Sequence, residues 1–207
     1  MRLFYLFIIT FFFSHTSLAN NKLFVEGNTL YYNTDLAADE MNAEIDWDDA
    51  DLIHSILLEN PNITTIQLNS SGGLIEASQY ISDIVIDFEL DSYVSGECSS
   101  ACVDIFLAGQ KRVLERGSWL GFHKGSWAAG DIQNYYERNK EKEGWKDAFE
   151  FSSWLYEDTQ SEILKQMKYM LERGVEADLI IQTLQADNEG MWYPRRKLLE
   201  AAGVINE

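Results

Sequence analysis

Three short stretches of the chain hold residue types that could do chemistry together. The first is Gly96-Glu97-Cys98-Ser99-Ser100-Ala101-Cys102, between a predicted strand and an apolar helix. Ser100 then falls at a helix N-terminus, where amides have no intrahelical partner and the dipole favours negative charge. A serine so placed can attack a carbonyl while the next amide, that of Ala101, holds the oxyanion. Serine is also a preferred helix cap, and by itself Ser100 is better explained that way. The second stretch is Leu120-Gly121-Phe122-His123. A histidine ending an apolar strand sits at the rim of a sheet, where a general base would stand. By itself it is better explained as a hydrogen-bonded structural histidine. His54, on an acidic helix, is a weaker base. The third stretch is the turn Asn69-Ser70-Ser71-Gly72-Gly73. Its glycines permit close approach by a ligand and leave an N–H to face a substrate carbonyl.

Positioning these residues requires an α/β framework. Strands over 22–25 and 29–33 flank Glu26-Gly27-Asn28 and predict a hairpin. Residues 35–51 hold eight acidic side chains and no basic one. They lack the glycine and terminal glutamate of an EF-hand calcium loop and read as a solvated acidic loop. A helix is predicted over 48–59, then a strand over 64–68 and a helix over 75–89, with Ala77, Ile81, Ile84, Val85 and Phe88 on one face. A strand over 92–95 should break at Gly96. Residues 100–108 form an almost wholly apolar, hence buried, helix. Strands over 112–115 and 119–122 follow. This order argues for a parallel sheet covered on both faces. Helices are predicted over 132–142, 146–173, 176–185 and 195–202. The stripe Ile163, Met167, Met170 and Leu171 reads as core.

The bulk properties set the context. Met1-Arg2 precedes an apolar run from Leu3 to Phe13, and Ser17-Leu18-Ala19 places small residues where a signal peptidase reads them. Residues 1–19 are therefore expected to be a signal peptide, and the run is short for a bilayer span. Residues 20–207 suit one domain that is periplasmic or secreted, with no membrane span after cleavage. The formal charge of −18 disfavours nucleic acid and anionic membranes as partners. His54 and His123 are the only mature histidines and the chain has two cysteines, so no metal constellation and no cofactor is expected. Export permits a Cys98–Cys102 disulfide; two buried thiols are the other reading. Cys102 as nucleophile is disfavoured, since it points away from the direction of Ser100.

The three stretches in this order and spacing resemble the proteolytic subunit of Clp protease and its exported relatives, within the crotonase-like superfamily. The shared pattern runs strand, Leu68-Asn69-Ser70-Ser71-Gly72-Gly73, helix, strand, Ser100-Ala101, a short apolar helix ending Ala108-Gly109, a hairpin, then Phe122-His123. It covers residues 60 to 125 best. The resemblance implies a repeated ββα spiral with a parallel sheet flanked by helices. It implies Ser100 as nucleophile, His123 as general base, and an oxyanion hole from the Gly73 and Ala101 amides. The expected function is a serine-type hydrolase, a peptidase acting on peptides or unfolded protein, assembled as a homo-oligomer. The segment Phe149 to Leu171 is the expected contact surface. The pattern departs at the third catalytic residue. Alignment puts Met191 or Gly190 where Clp-type enzymes carry aspartate, so Asp187 or Glu189 would have to serve. A catalytically inactive binding or assembly module is the alternative.

Overall fold

The computed structural model describes residues 21–39, 42–186 and 190–207. The expected signal segment lies outside the described residues.

Six strands form one sheet flanked by helices. β1 (Leu23–Glu26) and β2 (Thr29–Asn33) are an antiparallel hairpin turned at Gly27, whose φ of +62° suits glycine. β3 (Thr65–Ser70) pairs with β2 in parallel, and β4 (Asp91–Ser99) with β3. Between them run α1 (Trp47–Glu59), α2 (Ile75–Asp87) and, after β4, α3 (Cys102–Ala108). Helical spacing gives α1 a buried stripe of Ala50, Ile53 and Leu57, and α2 one of Ala77, Ile81, Ile84 and Val85. Every residue of α3 is buried. A fully buried aliphatic or phenyl side chain contributes roughly 1.5–3 kcal/mol, so this helix anchors the core beside the sheet.

The structure corrects several expectations. Along β3, buried Ile66, Leu68 and Ser70 alternate with half-buried Thr65, Gln67 and Asn69. One face of the sheet is sealed and the other only partly covered, because polar residues at every second position do not suit burial on both faces. β4 does not end at Gly96 but runs through it to Ser99. Gly96 takes φ +109°, the Glu97 N–H donates to Asn69 Oδ1 at 2.8 Å, and the Gly96 N–H donates to Ser118 Oγ at 2.9 Å. The glycine thus carries the strand past an inserted side chain. β5 (Arg112–Leu114) and β6 (Trp119–Gly121) do not pair as a hairpin. Both pair with β4 in parallel, β5 along Ser92–Val94 and β6 along Glu97–Ser99.

Beyond the sheet lie α4 (Ala129–Glu143), α5 (Ala148–Glu172), α6 (Ala177–Thr183) and α7 (Arg196–Ala201). Gly144, at φ +76°, ends α4. Rings of Tyr135 on α4, Trp145 in the turn, and Phe151 and Trp154 on α5 pack together. Of the expected core stripe on α5, Met170 is buried, but Ile163 and Leu171 are 40% and 50% exposed. Apolar spacing set a face on this helix that the described residues do not wholly cover.

Two guanidinium groups hold the C-terminal end of α3. Arg173 donates to the carbonyls of Leu107, Ala108 and Gly109, and Arg112 to those of Leu107, Arg173 and Gly203. Cations suit this end of a helix, where carbonyls lack partners. Asp104, in the first turn of α3, is buried and accepts from Gln166 Nε2 at 2.5 Å. Burial pushes its carboxyl up to about 6, against the Gln166 hydrogen bond and the Lys165 charge, which pull it down. The folded chain therefore holds this proton more tightly than the unfolded chain. Its stability should fall as pH rises from about 4, the unfolded carboxyl's range, and the full penalty is present above the folded value. At 1.36 kcal/mol per unit that penalty is about 3 kcal/mol. Asp104→Asn keeps an oxygen for Gln166. It should stabilise the fold by up to about 3 kcal/mol at neutral pH and by little near pH 4. Urea unfolding at both pH values checks this; an equal effect at both would contradict it.

Candidate active site

Ser100 occupies the junction between β4 and α3. It precedes the helix, and its backbone takes φ +54°, a left-handed conformation uncommon for a residue with a side chain. Hydrogen bonds over-determine that conformation. The Ser100 N–H donates to Gly121 O at 2.9 Å, and its carbonyl accepts the Val103 N–H at 3.0 Å as α3 begins. Gly72, at φ +115°, presses on the same turn. A Cβ there would lie 2.8 Å from Ser100 Cβ and 2.9 Å from Ser99 O.

His123 follows β6, which β4 holds in register through Ser99 and Gly121. Its Nε2 stands 2.7 Å from Ser100 Oγ, so the structure brings these two side chains into hydrogen-bond contact. In that geometry the ring can take the hydroxyl proton while Oγ attacks an electrophilic carbon. Exposed Leu74 and Ile75 follow Gly73 and leave apolar surface beside it, with Gly125 set against Ile75.

The Gly73 and Ala101 N–H groups donate to no acceptor among the described residues. Gly73 is held from its far side: Ile45 N–H donates to Gly72 O at 2.9 Å, and Leu74 N–H to Ile45 O at 2.9 Å. A Cβ on Gly73 would run into the Ile45 backbone. Gly72 abuts Ser100, while Gly73 presents the spare amide.

Asp187 and Glu189 lie outside the described residues. Phe122 and Trp192 exchange both backbone hydrogen bonds at 2.9 Å, which sets Met191 next in register to His123. Among the described residues His123 has no carboxylate partner. The nearby Glu97 carboxylate is committed elsewhere, accepting from Ser99 Oγ at 2.6 Å and Tyr193 OH at 2.7 Å. Cys98 and Cys102 are joined in a disulfide that spans Ser100, with Cα atoms 5.3 Å apart. His54 stands against Phe88, away from this cluster, and no group of side chains suited to a metal ion occurs among the described residues.

Sequence reasoning passed over one cluster. Lys22 is buried, and its Nζ donates to Asp49 Oδ2 at 2.7 Å, Asp46 Oδ2 at 3.1 Å and Glu44 O at 3.1 Å. Part of the acidic stretch is therefore interior. Asp46 and Asp49 also form the capping box of α1, and that spacing of acidic residues before an apolar run was the available signal.

No protein-family model and no curated protein matches the sequence. Among solved structures, the chain is similar to ClpP1 from Listeria monocytogenes, at 20% identity and TM-score 0.54 over 78% of this chain and 84% of that one. It is likewise similar to a mutant form of that ClpP1, at 19% identity and TM-score 0.55 with the same coverage. Likeness at this identity is likeness of architecture: the chain has a ClpP-like α/β fold.

Proposed function

We propose that this protein is a serine-type hydrolase, a peptidase of the Clp-protease-like family that acts outside the cytoplasm on peptides or unfolded protein. The 2.7 Å contact between Ser100 Oγ and His123 Nε2 carries the reading. Ser100 attacks the substrate carbonyl and His123 accepts its proton. The Gly73 and Ala101 amides bind the oxyanion, where a single donor can be worth about 10²–10³ in rate. His123 returns the proton to the leaving amine, and water then releases the acyl group by the same steps in reverse roles. The β3–α2–β4–α3 alternation supports reading the sheet as a ββα spiral. The test is covalent labelling by a fluorophosphonate that depends on Ser100.

A second reading is a catalytically inactive binding or assembly module. Met191 next in register to His123, with no carboxylate partner among the described residues, favours it. Loss of labelling specificity for Ser100 in folded protein would establish it.

Export and assembly belong to the same proposal. Material recovered from outside the cytoplasm should begin at Asn20 and carry the Cys98–Cys102 disulfide. One intact mass reads both: a chain starting at Met1 contradicts export, and two free thiols without reductant contradict the bond. A ring this small stabilises by roughly 2 kcal/mol in the loop-entropy model, so its larger effect would be to hold the Ser100 turn. On α5, Phe149, Tyr156 and Leu164 are 85%, 73% and 53% exposed. Apolar exposure of this extent suits a contact between copies of the chain. Light scattering at micromolar concentration should report a homo-oligomer, and a monomer would count against it.

A further inference from the structure

We infer that Lys22 is a positioning residue for the oxyanion hole, acting through Ile45 on the Gly73 amide; this rests on the hydrolase reading above. Three hydrogen bonds from Lys22 converge on one short segment. They reach the Glu44 carbonyl before Ile45, the Asp46 carboxylate after it, and Asp49 in the first turn of α1. Ile45 is thus clamped on both sides in sequence. Tyr32 OH adds a 2.6 Å bond to Asp49 Oδ2, which ties the cluster to β2 of the sheet.

Ile45 carries the constraint to the site. Its N–H and C=O bond to the residues on either side of Gly73, at 2.9 Å each. Two such bonds fix the plane and direction of the intervening peptide groups. On the opposite side, Gly72 rests against Ser100 and the Ala101 amide. The amide of Gly73 can therefore be aimed only as accurately as Ile45 is held. The Lys22 ammonium bonds both the residue before Ile45 and the residue after it. The Lys22–Asp49 pair is buried, so its attraction is little screened by salt, while Asp46 is half-buried. Displacement of about 1 Å at a catalytic group can cost 10²-fold in rate without direct loss of that group.

The test uses the full mature chain and an N-acylated dipeptide p-nitrophenyl ester, with functional sites counted by fluorophosphonate titration. Lys22→Met/Asp49→Asn removes both buried charges together, which avoids stranding one of them. It should keep titratable sites and hold KM within about twofold, while kcat per titrated site falls about 10- to 100-fold. Asp46→Asn retains the helix cap but weakens one arm of the clamp. It should lower kcat per site by about threefold with KM unchanged, and it guards against a double variant that fails to fold. A merely structural role would instead lower the number of titratable sites and leave kcat per site intact. That outcome, an unchanged kcat per site in Asp46→Asn, or a loss confined to KM, overturns the inference while wild-type turnover keeps the hydrolase reading. Absence of both turnover and Ser100-dependent labelling in wild type overturns both.

Discussion

Wild-type protein should react covalently with a fluorophosphonate, and Ser100→Ala should not react at all. The alanine variant keeps the turn and the disulfide but has no oxygen to form the bond. His123→Ala should react about 10²–10⁴ times more slowly, because the hydroxyl stays in place while its proton acceptor is lost. The Oγ–Nε2 distance of 2.7 Å is already that of a proton-transfer hydrogen bond, so no rearrangement need precede the step. Asp187→Asn and Glu189→Gln made separately identify a third member. The carboxylate that orients His123 should slow labelling when neutralised, and the other should be close to silent. If both are silent, Ser100 and His123 act as a dyad. Equal inertness of folded wild type and Ser100→Ala would refute the hydrolase reading and leave the binding module.

Gly72→Ala should be nearly as damaging as loss of His123, although Gly72 takes no part in proton transfer. Its added methyl meets Ser100 Cβ at 2.8 Å and Ser99 O at 2.9 Å, closer than carbon atoms tolerate. The neighbours cannot yield cheaply. Ser99 is fixed in the β4–β6 pairing, and Ser100 is bonded to Gly121 and Val103. Alanine also resists the backbone at φ +115°. Strain and overpacking together should cost roughly 2–4 kcal/mol of stability. Whatever folds should carry a displaced Ser100 and lose about 10²-fold or more in labelling rate. Thermal unfolding and labelling rate read the two effects separately. Wild-type labelling in Gly72→Ala would show that the glycine does not support the nucleophile turn.

Local signals disclosed much of this arrangement. The order of strand, turn, helix and nucleophile stretch survives folding because each step is written in adjacent residues: β-branched Thr65 and Ile66, the Gly72-Gly73 pair, the apolar run of α3. Ser100 and His123, which the structure sets side by side, both stand out by residue type and by position at element ends. What local pattern could not disclose was pairing at a distance. Lys22 meets Asp49 across 27 residues, and no periodicity links an isolated lysine to an acidic loop. Gly96 looked like a strand breaker because its neighbour Asn69 arrives from another strand. The resemblance implied a hairpin of β5 and β6, while the long edge of β4 offers both of them pairing. The stripe on α5 showed which residues share a face but not that Ile163 and Leu171 stay exposed among the described residues.

The left-handed backbone at Ser100 also limits which chemistry evolution could place there. A residue at φ +54° must hold its Cβ close to the carbonyl of the residue before it. Serine and cysteine, with one heavy atom on Cβ, can meet that condition. Threonine carries a second branch that makes positive φ a severe outlier. Mutational drift from this hydroxyl toward a thiol is therefore sterically open, whereas drift toward a threonine nucleophile is closed by the shape of the chain before any question of reactivity arises.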